Sequence, residues 1–247
     1  MADVSAPHRL RSRLVFLREN VKQGEEVNPS AFSCIIIRDC SGKYVQEGGT
    51  ERMIDIGIFV FPEVEELDFV GPFEVFSAAN SVAPGSVSVK LVAFEDGPLT
   101  AANGMRFLPD ITPERSSQEV LVIPGGQGRR VAMRDPRVKR FVAEQYERVK
   151  FLGTVCTGAF IAAEAGLLRN MAATTHHRYF EELDAYPGVK VVRRRVVKHG
   201  RILTAGGVSS GIELSLCILA LLFGGDLAKA AADYVEYPFR SDMCVEY

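Results

Sequence analysis

From Met53 onward, short apolar runs alternate with longer amphipathic stretches. Ile54 to Phe61 reads as a strand with a central Gly57, and Pro62 stops it. Asp68 then precedes a helix whose first turn holds Pro72, where a proline is tolerated. Val87 to Phe94 alternates as a strand, and Val120 to Ile123 is a short apolar one ended by Pro124-Gly125-Gly126. Asp135-Pro136 has the form of an N-cap followed by proline at the first helical position, opening a helix to about Val149. Phe151 to Val155 is a further apolar strand. It is followed by a helix from Ala159 to Ala165 that Gly166 stops. Val189 to Val197 and Ile202 to Ala205 read as strands joined by a turn at Gly200. After Gly206-Gly207 come helices from about Ser210 to Phe223 and from Asp226 to about Tyr234.

Short apolar strands alternating with helices predict an α/β fold with a mostly parallel sheet and helices on both faces. Glycine-containing turns follow three strands, at Gly125-Gly126, Thr157-Gly158 and Gly206-Gly207. Ligands of such sheets bind at the carboxyl ends of the strands, so the three turns are expected to converge on one crevice. Residues 1–52 break the pattern. Their periodicity is weak, and only Cys34-Ile35-Ile36-Ile37 looks strand-like. The expected organisation is an N-terminal extension over 1–52, disordered or arising from an upstream start ahead of Met53, and one domain over 53–247.

Composition narrows the function classes. The chain has 247 residues, 47% of them hydrophobic, enough for a sizeable core. The net charge is −2 with dispersed Lys and Arg, which gives no basic stripe for nucleic acid. Arg193-Arg194-Arg195 reads as the solvated face of a hairpin. The five cysteines (Cys34, Cys40, Cys156, Cys217 and Cys244) form no CxxC pair and take no Cys/His metal spacing. Their odd number argues against a disulfide framework and for a reducing cytoplasm. The longest apolar stretch, Leu214 to Phe223, is too short to span a bilayer, and no secretory signal is visible.

Candidate chemistry centres on Cys156, at the junction of a strand and a helix. Such a strand-turn-helix junction has the form of a nucleophile elbow. The letters Gly153-Thr154-Val155-Cys156-Thr157-Gly158 are an analogue of G-x-S-x-G, because the upstream glycine lies one place further back. Free amides at the helix start are expected to favour a thiolate and to hold developing negative charge. The alternative is a small buried hydrophobe, which is the reading for Cys217 in its apolar helix. Asp68 could handle protons for Cys156 or simply cap its helix. His176 and His177, after Ala172-Ala173-Thr174-Thr175, could face the crevice or be structural. Glu65 and Glu66 read as solvated.

Five blocks in order carry a resemblance: "IGIFVFPEVEELDFVGPFEVF", "LVIPGGQG", "VCTGAFIAAEAGLL", "ATTHH" and "RILTAGGVSSGIELSL". Over about residues 53–240 the chain resembles the ThiJ/PfpI superfamily, of class I glutamine amidotransferase-like fold. Within it, the chain looks most like isonitrile hydratases and the amidase-like domains of AraC-type regulators. The resemblance implies a flavodoxin-like three-layer sandwich, a homodimer, a small-molecule substrate and no cofactor or metal. In the hydratase branch a thiolate attacks the isonitrile carbon, a carboxylate shuttles protons, and water releases an N-formamide. Carried over by position, Cys156 is the nucleophile and Asp68 the proton-handling carboxylate. Thr157 borders the thiol, backbone amides at Gly126 (after Gly125) and Thr157 orient the bound group, and His176 supports the pocket. Thr157 stands where the peptidase branch has histidine, which disfavours proteolysis. Asp68 stands where the glyoxalase and deglycase branch usually has glutamate, and His177 where an aromatic is common. The regulators continue into a helix-turn-helix module and no such module follows Arg240, so nucleic acid is not an expected partner; the shortness of Leu214 to Phe223 likewise leaves no membrane partner expected. A glyoxalase-type activity on 2-oxoaldehydes, or a non-catalytic redox sensor using Cys156, are the alternatives to hydration.

Overall fold

The structure is a computed structural model that describes residues 35–38, 44–47, 53–240 and 242–247. The chain divides into two units, Met1–Thr50 and Glu51–Tyr247. In the first, Ile35–Arg38 and Tyr44–Glu47 pair antiparallel, with Ile36 opposite Gln46. The strand anticipated near Cys34 is therefore Ile35–Arg38. Cys34, Cys40 and the remainder of the proposed extension lie outside the described residues.

The second unit contains β1 (Ile54–Phe59), α1 (Glu66–Val82), β2 (Val87–Val92), β3 (Val120–Ile123), α2 (Pro136–Arg148) and β4 (Phe151–Val155). It continues with α3 (Ala159–Glu164), β5 (Val196–His199), β6 (Ile202–Ala205), α4 (Ser210–Phe223), α5 (Gly225–Tyr234) and β7 (Cys244–Glu246). The strands form one sheet in the order β7-β5-β6-β4-β3-β1-β2. β2, β1, β3, β4 and β6 run parallel, and β5 and β7 run against them. The register sets Ile58 between Leu91 and Val122, and Val122 beside Gly153. Helices α1, α4 and α5 pack on one another, as do α2 and α3, and the sheet lies between the two groups. This is the predicted three-layer arrangement.

Every residue of β3 is buried, as expected of a central strand covered on both faces. Phe141 of α2 stacks 5.3 Å from Phe59 and 6.0 Å from Phe94. Phe59 and Phe141 are buried and each contributes roughly 1.5–3 kcal/mol of apolar transfer, whereas Phe94 is half-buried. Among the described residues no helix is long and apolar enough to cross a membrane.

Three readings of the chain need correction. First, α1 begins at Glu66, with Glu65 in the cap position, so Asp68 lies inside its first turn and Pro72 in its interior. Asp68 does not cap because its carboxylate is engaged across the fold by Gly125. Pro72 lacks the N–H that would bond the Asp68 carbonyl. Second, Val189 to Val197 is not one strand. Lys190–Val191 pairs with Ala172–Ala173, and only from Val196 does the chain join the main sheet. The arginine run at this break is exposed throughout, as expected of a solvated face, though it makes some contacts. Arg193 lies 5.5 Å over the Phe180 ring, and Arg195 is paired with Glu213 and hydrogen-bonded to Ser209. Third, the edge strand β7 was not foreseen, since three residues carry no periodicity.

Candidate active site

The carboxyl ends of β1, β3, β4 and β6 open onto a cleft of about 210 Å³. Its lining includes Cys156 and Thr157 after β4, Gly126 after β3 and Val208 after β6, so the three glycine-containing turns do converge. The loop after β1 is pinned beside them. Glu65 N–H donates to the Gly125 carbonyl at 3.0 Å, and Gly128 N–H to that of Glu63 at 3.1 Å.

Cys156 has φ +54°, in the left-handed region. Of the described non-glycine residues with positive φ, it alone is buried. Such a conformation costs of order 1–3 kcal/mol and persists only where surrounding contacts hold it. Here Cys156 N–H donates to the Gly206 carbonyl at 2.8 Å, and the Thr175 hydroxyl donates to the Cys156 carbonyl at 2.7 Å. Close approach behind the turn depends on Gly158, where a Cβ would sit 2.1 Å from the Ile123 carbonyl oxygen. The result turns the thiol toward the cleft while leaving it only 6% exposed.

Asp68 is fully buried beneath this thiol. Its Oδ2 accepts from Gly125 N–H at 2.8 Å, and its Oδ1 accepts no hydrogen bond. Burial drives its pKa up to about 8. The Gly125 amide opposes the rise, the charge of Glu65 adds to it, and the Cys156 thiol, close enough to act as a weak donor, opposes it least. The same burial, followed by the Asp68 charge, pushes the Cys156 thiol up to about 12. Amides of Thr157 and Val208 aimed at the sulfur pull the other way without prevailing. The expected low-pKa thiolate is thereby overturned: a short helix start does not outweigh removal of the charge from water beside a carboxylate. Both shifts favour the protonated forms.

The remaining predicted residues fall at or around the cleft. Thr157 is buried, and its hydroxyl accepts from Gly126 N–H at 3.1 Å. The Gly126 amide is thus committed to Thr157 and the Gly125 amide to Asp68, so neither is free to orient a bound group as expected of Gly126. Thr157 N–H does face the sulfur. His176 lines the cleft, half-buried, with Nδ1 accepting from Arg178 N–H at 3.3 Å. Burial, then the neighbouring His177 and Arg178 charges, lower its pKa and keep it neutral. His177 stacks on it, ring centroids 4.3 Å apart. Glu65 borders the cleft rather than being simply solvated. Glu66 holds the Asn103 backbone and side chain, each at 2.7 Å.

Two contributors escaped the sequence reading. The Val208 amide follows the Gly206-Gly207 turn, and that turn was its only signal. Arg129 is a buried cation in the cleft wall, bonded to both carboxylate oxygens of Glu182 at 2.9 and 3.1 Å. Its guanidinium lies 4.0 Å over Phe160 and 5.1 Å over Tyr179. The basic pair after "GGQG" hinted at it, but not at its burial. Among the described residues no three His, Cys, Asp or Glu side chains cluster in a way that could hold a metal.

The pattern of the DJ-1/PfpI family matches residues 55–221, which include the elbow, Asp68 and all three turns. The chain belongs to the DJ-1/PfpI family. A relative in this family, the isonitrile hydratase of Pseudomonas putida, is 33% identical over 193 residues, covering 76% of this chain and 82% of its own. The HTH-type transcriptional regulator CdhR of Pseudomonas aeruginosa is 27% identical over 72% of this chain, but that match spans only 54% of the regulator. Among solved structures, a ThiJ/PfpI family protein from Pseudomonas syringae superposes with a TM-score of 0.70 at 28% identity, covering 76% of this chain and 77% of its own. The DJ-1/PfpI family thus includes both an enzyme and a regulator among this chain's relatives.

Proposed function

We propose that the protein is a cysteine-dependent lyase that adds water to a small isonitrile, giving an N-formamide. The observation that carries this reading is the Asp68 carboxyl, its pKa raised by burial, lying beneath the Cys156 thiol that lines the cleft. An isonitrile carbon accepts both a proton and a nucleophile, and this pair can deliver both. Asp68 passes its proton to the isonitrile carbon as the Cys156 sulfur bonds to that same carbon, and the thiol proton restores Asp68. The product is a thioimidate. Water then adds to its carbon, one water proton reaching the nitrogen by way of Asp68. Collapse returns the second water proton to the sulfur, breaks the carbon–sulfur bond and releases the N-formamide. One water is consumed and both protein groups are regenerated. Amides of Thr157 and Val208 stabilise negative charge on the departing sulfur.

The similarity to an isonitrile hydratase supports this chemistry, and Thr157 in place of histidine disfavours peptidase chemistry. The cleft is smaller than the roughly 300–1,000 Å³ of common ligand pockets, which suits a compact substrate. A redox sensor is less well supported, since sensors use exposed, acidic thiols. We read the assembly as a homodimer on the family resemblance. The test is a panel of small isonitriles and 2-oxoaldehydes incubated with wild type and Cys156→Ala. N-formamide from the wild type alone supports the proposal. Consumption only of 2-oxoaldehydes would replace it with a glyoxalase reading.

A further inference from the structure

A pair of thiols lies away from the cleft, between α4 and the edge strand β7. Cys217 on α4 is 7% exposed and Cys244 on β7 is half-buried. Both line a cavity of about 220 Å³, together with Lys198, Leu221, Met243 and Glu246. The strand register places Cys244 opposite Val196 and Glu246 opposite Lys198, whose ammonium pairs with the Glu246 carboxylate. The two thiols thus border one cavity, on elements that pack against each other.

We propose that Cys217 and Cys244 form a peroxide-responsive dithiol that closes to a disulfide and ties β7 to α4. Cys244 is the attacking thiol. It is the more accessible of the two, and the neighbouring Cys217 thiol and then the Lys198 charge draw its pKa down against burial. Cys217 is pushed towards its protonated form, first by the neighbouring Cys244 and then by burial. The Cys244 sulfur takes one oxygen from the peroxide, forming a sulfenic acid and releasing water, or an alcohol from an alkyl peroxide. With the Cys244 charge gone, the chief cause holding the Cys217 proton is gone as well. The Cys217 sulfur then attacks the sulfenic sulfur. The sulfur–oxygen bond breaks, hydroxide leaves as water with the Cys217 proton, and the sulfur–sulfur bond forms. Two thiols are oxidised by two electrons and one peroxide is reduced.

The pair stands apart from Cys156, so it is independent of the hydratase reading. The test treats the full chain with hydrogen peroxide, alkylates the remaining thiols and maps peptides without reductant. The expected product joins the Cys217 and Cys244 peptides and is reversed by dithiothreitol. In Cys244→Ser, Cys217 stays open to alkylation. Limited trypsin cleavage at the exposed Arg240 releases the following segment from reduced protein, whereas oxidised protein retains it until reductant is added. The proposal is overturned if peroxide consumes Cys244 while Cys217 remains alkylatable. It is equally overturned if Cys244 joins Cys34, Cys40 or Cys156, or if neither thiol reacts.

Discussion

Replacing Asp68 with asparagine should make the protein more stable, and increasingly so as pH rises. Asp68 is buried, and its pKa climbs from 3.8 to about 8 on folding. Between these values the unfolded chain has lost the Asp68 proton and the folded chain keeps it. The folded state binds more protons, so stability falls as pH rises, by about 1.4 kcal/mol per pH unit from this group alone. Across the window the loss reaches up to about 6 kcal/mol, and it levels off above the folded pKa. That is comparable with the whole net stability of an ordinary domain, roughly 5–15 kcal/mol. Asp68→Asn keeps the shape, and its amide oxygen can still accept from Gly125 N–H, but it carries no charge in either state. Other titrating groups are common to both proteins and cancel in the difference. Urea unfolding of wild type and Asp68→Asn from about pH 5 to about pH 9 measures it. The variant's advantage should grow steadily to about pH 8 and then stay flat. A difference independent of pH, or one that shrinks as pH rises, would refute the buried, protonated carboxyl on which the proposed chemistry rests.

The same substitution should expose the coupling between the two groups. Above about pH 8 the Asp68 charge adds to burial in holding the Cys156 proton, so Asp68→Asn should speed iodoacetamide alkylation of Cys156 several-fold at alkaline pH. An unchanged or slower rate would show that the carboxylate does not act on the thiol. Gly125→Ala should disable the site while leaving both reactive side chains, Cys156 and Asp68, in the sequence. The new Cβ would meet the Thr157 hydroxyl at 2.5 Å, the Thr157 nitrogen at 2.6 Å and Asp68 Oδ2 at 3.0 Å. Relieving that overlap should lower stability by about 1–3 kcal/mol and abolish turnover, and a wild-type rate would contradict the packing described.

The parts of the fold that were legible in the chain share a physical reason. β3 and β4 are buried on both faces, so their apolar runs have sharp ends, and their residue ranges match the expectation. Asp135 caps α2 as read, its carboxylate accepting from Arg137 N–H at 2.8 Å, because a cap is decided within three residues. Asp68 offers the same local signal, but Gly125, far along the chain, claims its carboxylate, and local chemistry does not reveal that bond. The elbow residues were legible because a strand, a turn and small residues are contiguous. The direction of the thiol pKa was not: helix-start amides can be read from letters, whereas burial beside a carboxylate comes from tertiary packing. Arg129 was missed for a similar reason, since its partner Glu182 and its aromatic cover at Phe160 and Tyr179 lie on later segments.

The proposed joint action of Cys156 and Asp68 on an isonitrile carbon is open to a single assay. Its most direct measurement is the rate of N-formamide formation from one small isonitrile, followed by NMR, for wild type, Cys156→Ala and Asp68→Asn. The wild type should turn over, Cys156→Ala should not, and Asp68→Asn should be slower by about 100-fold or more, the scale of a lost general acid. N-formamide formed at the wild-type rate by Cys156→Ala would contradict it.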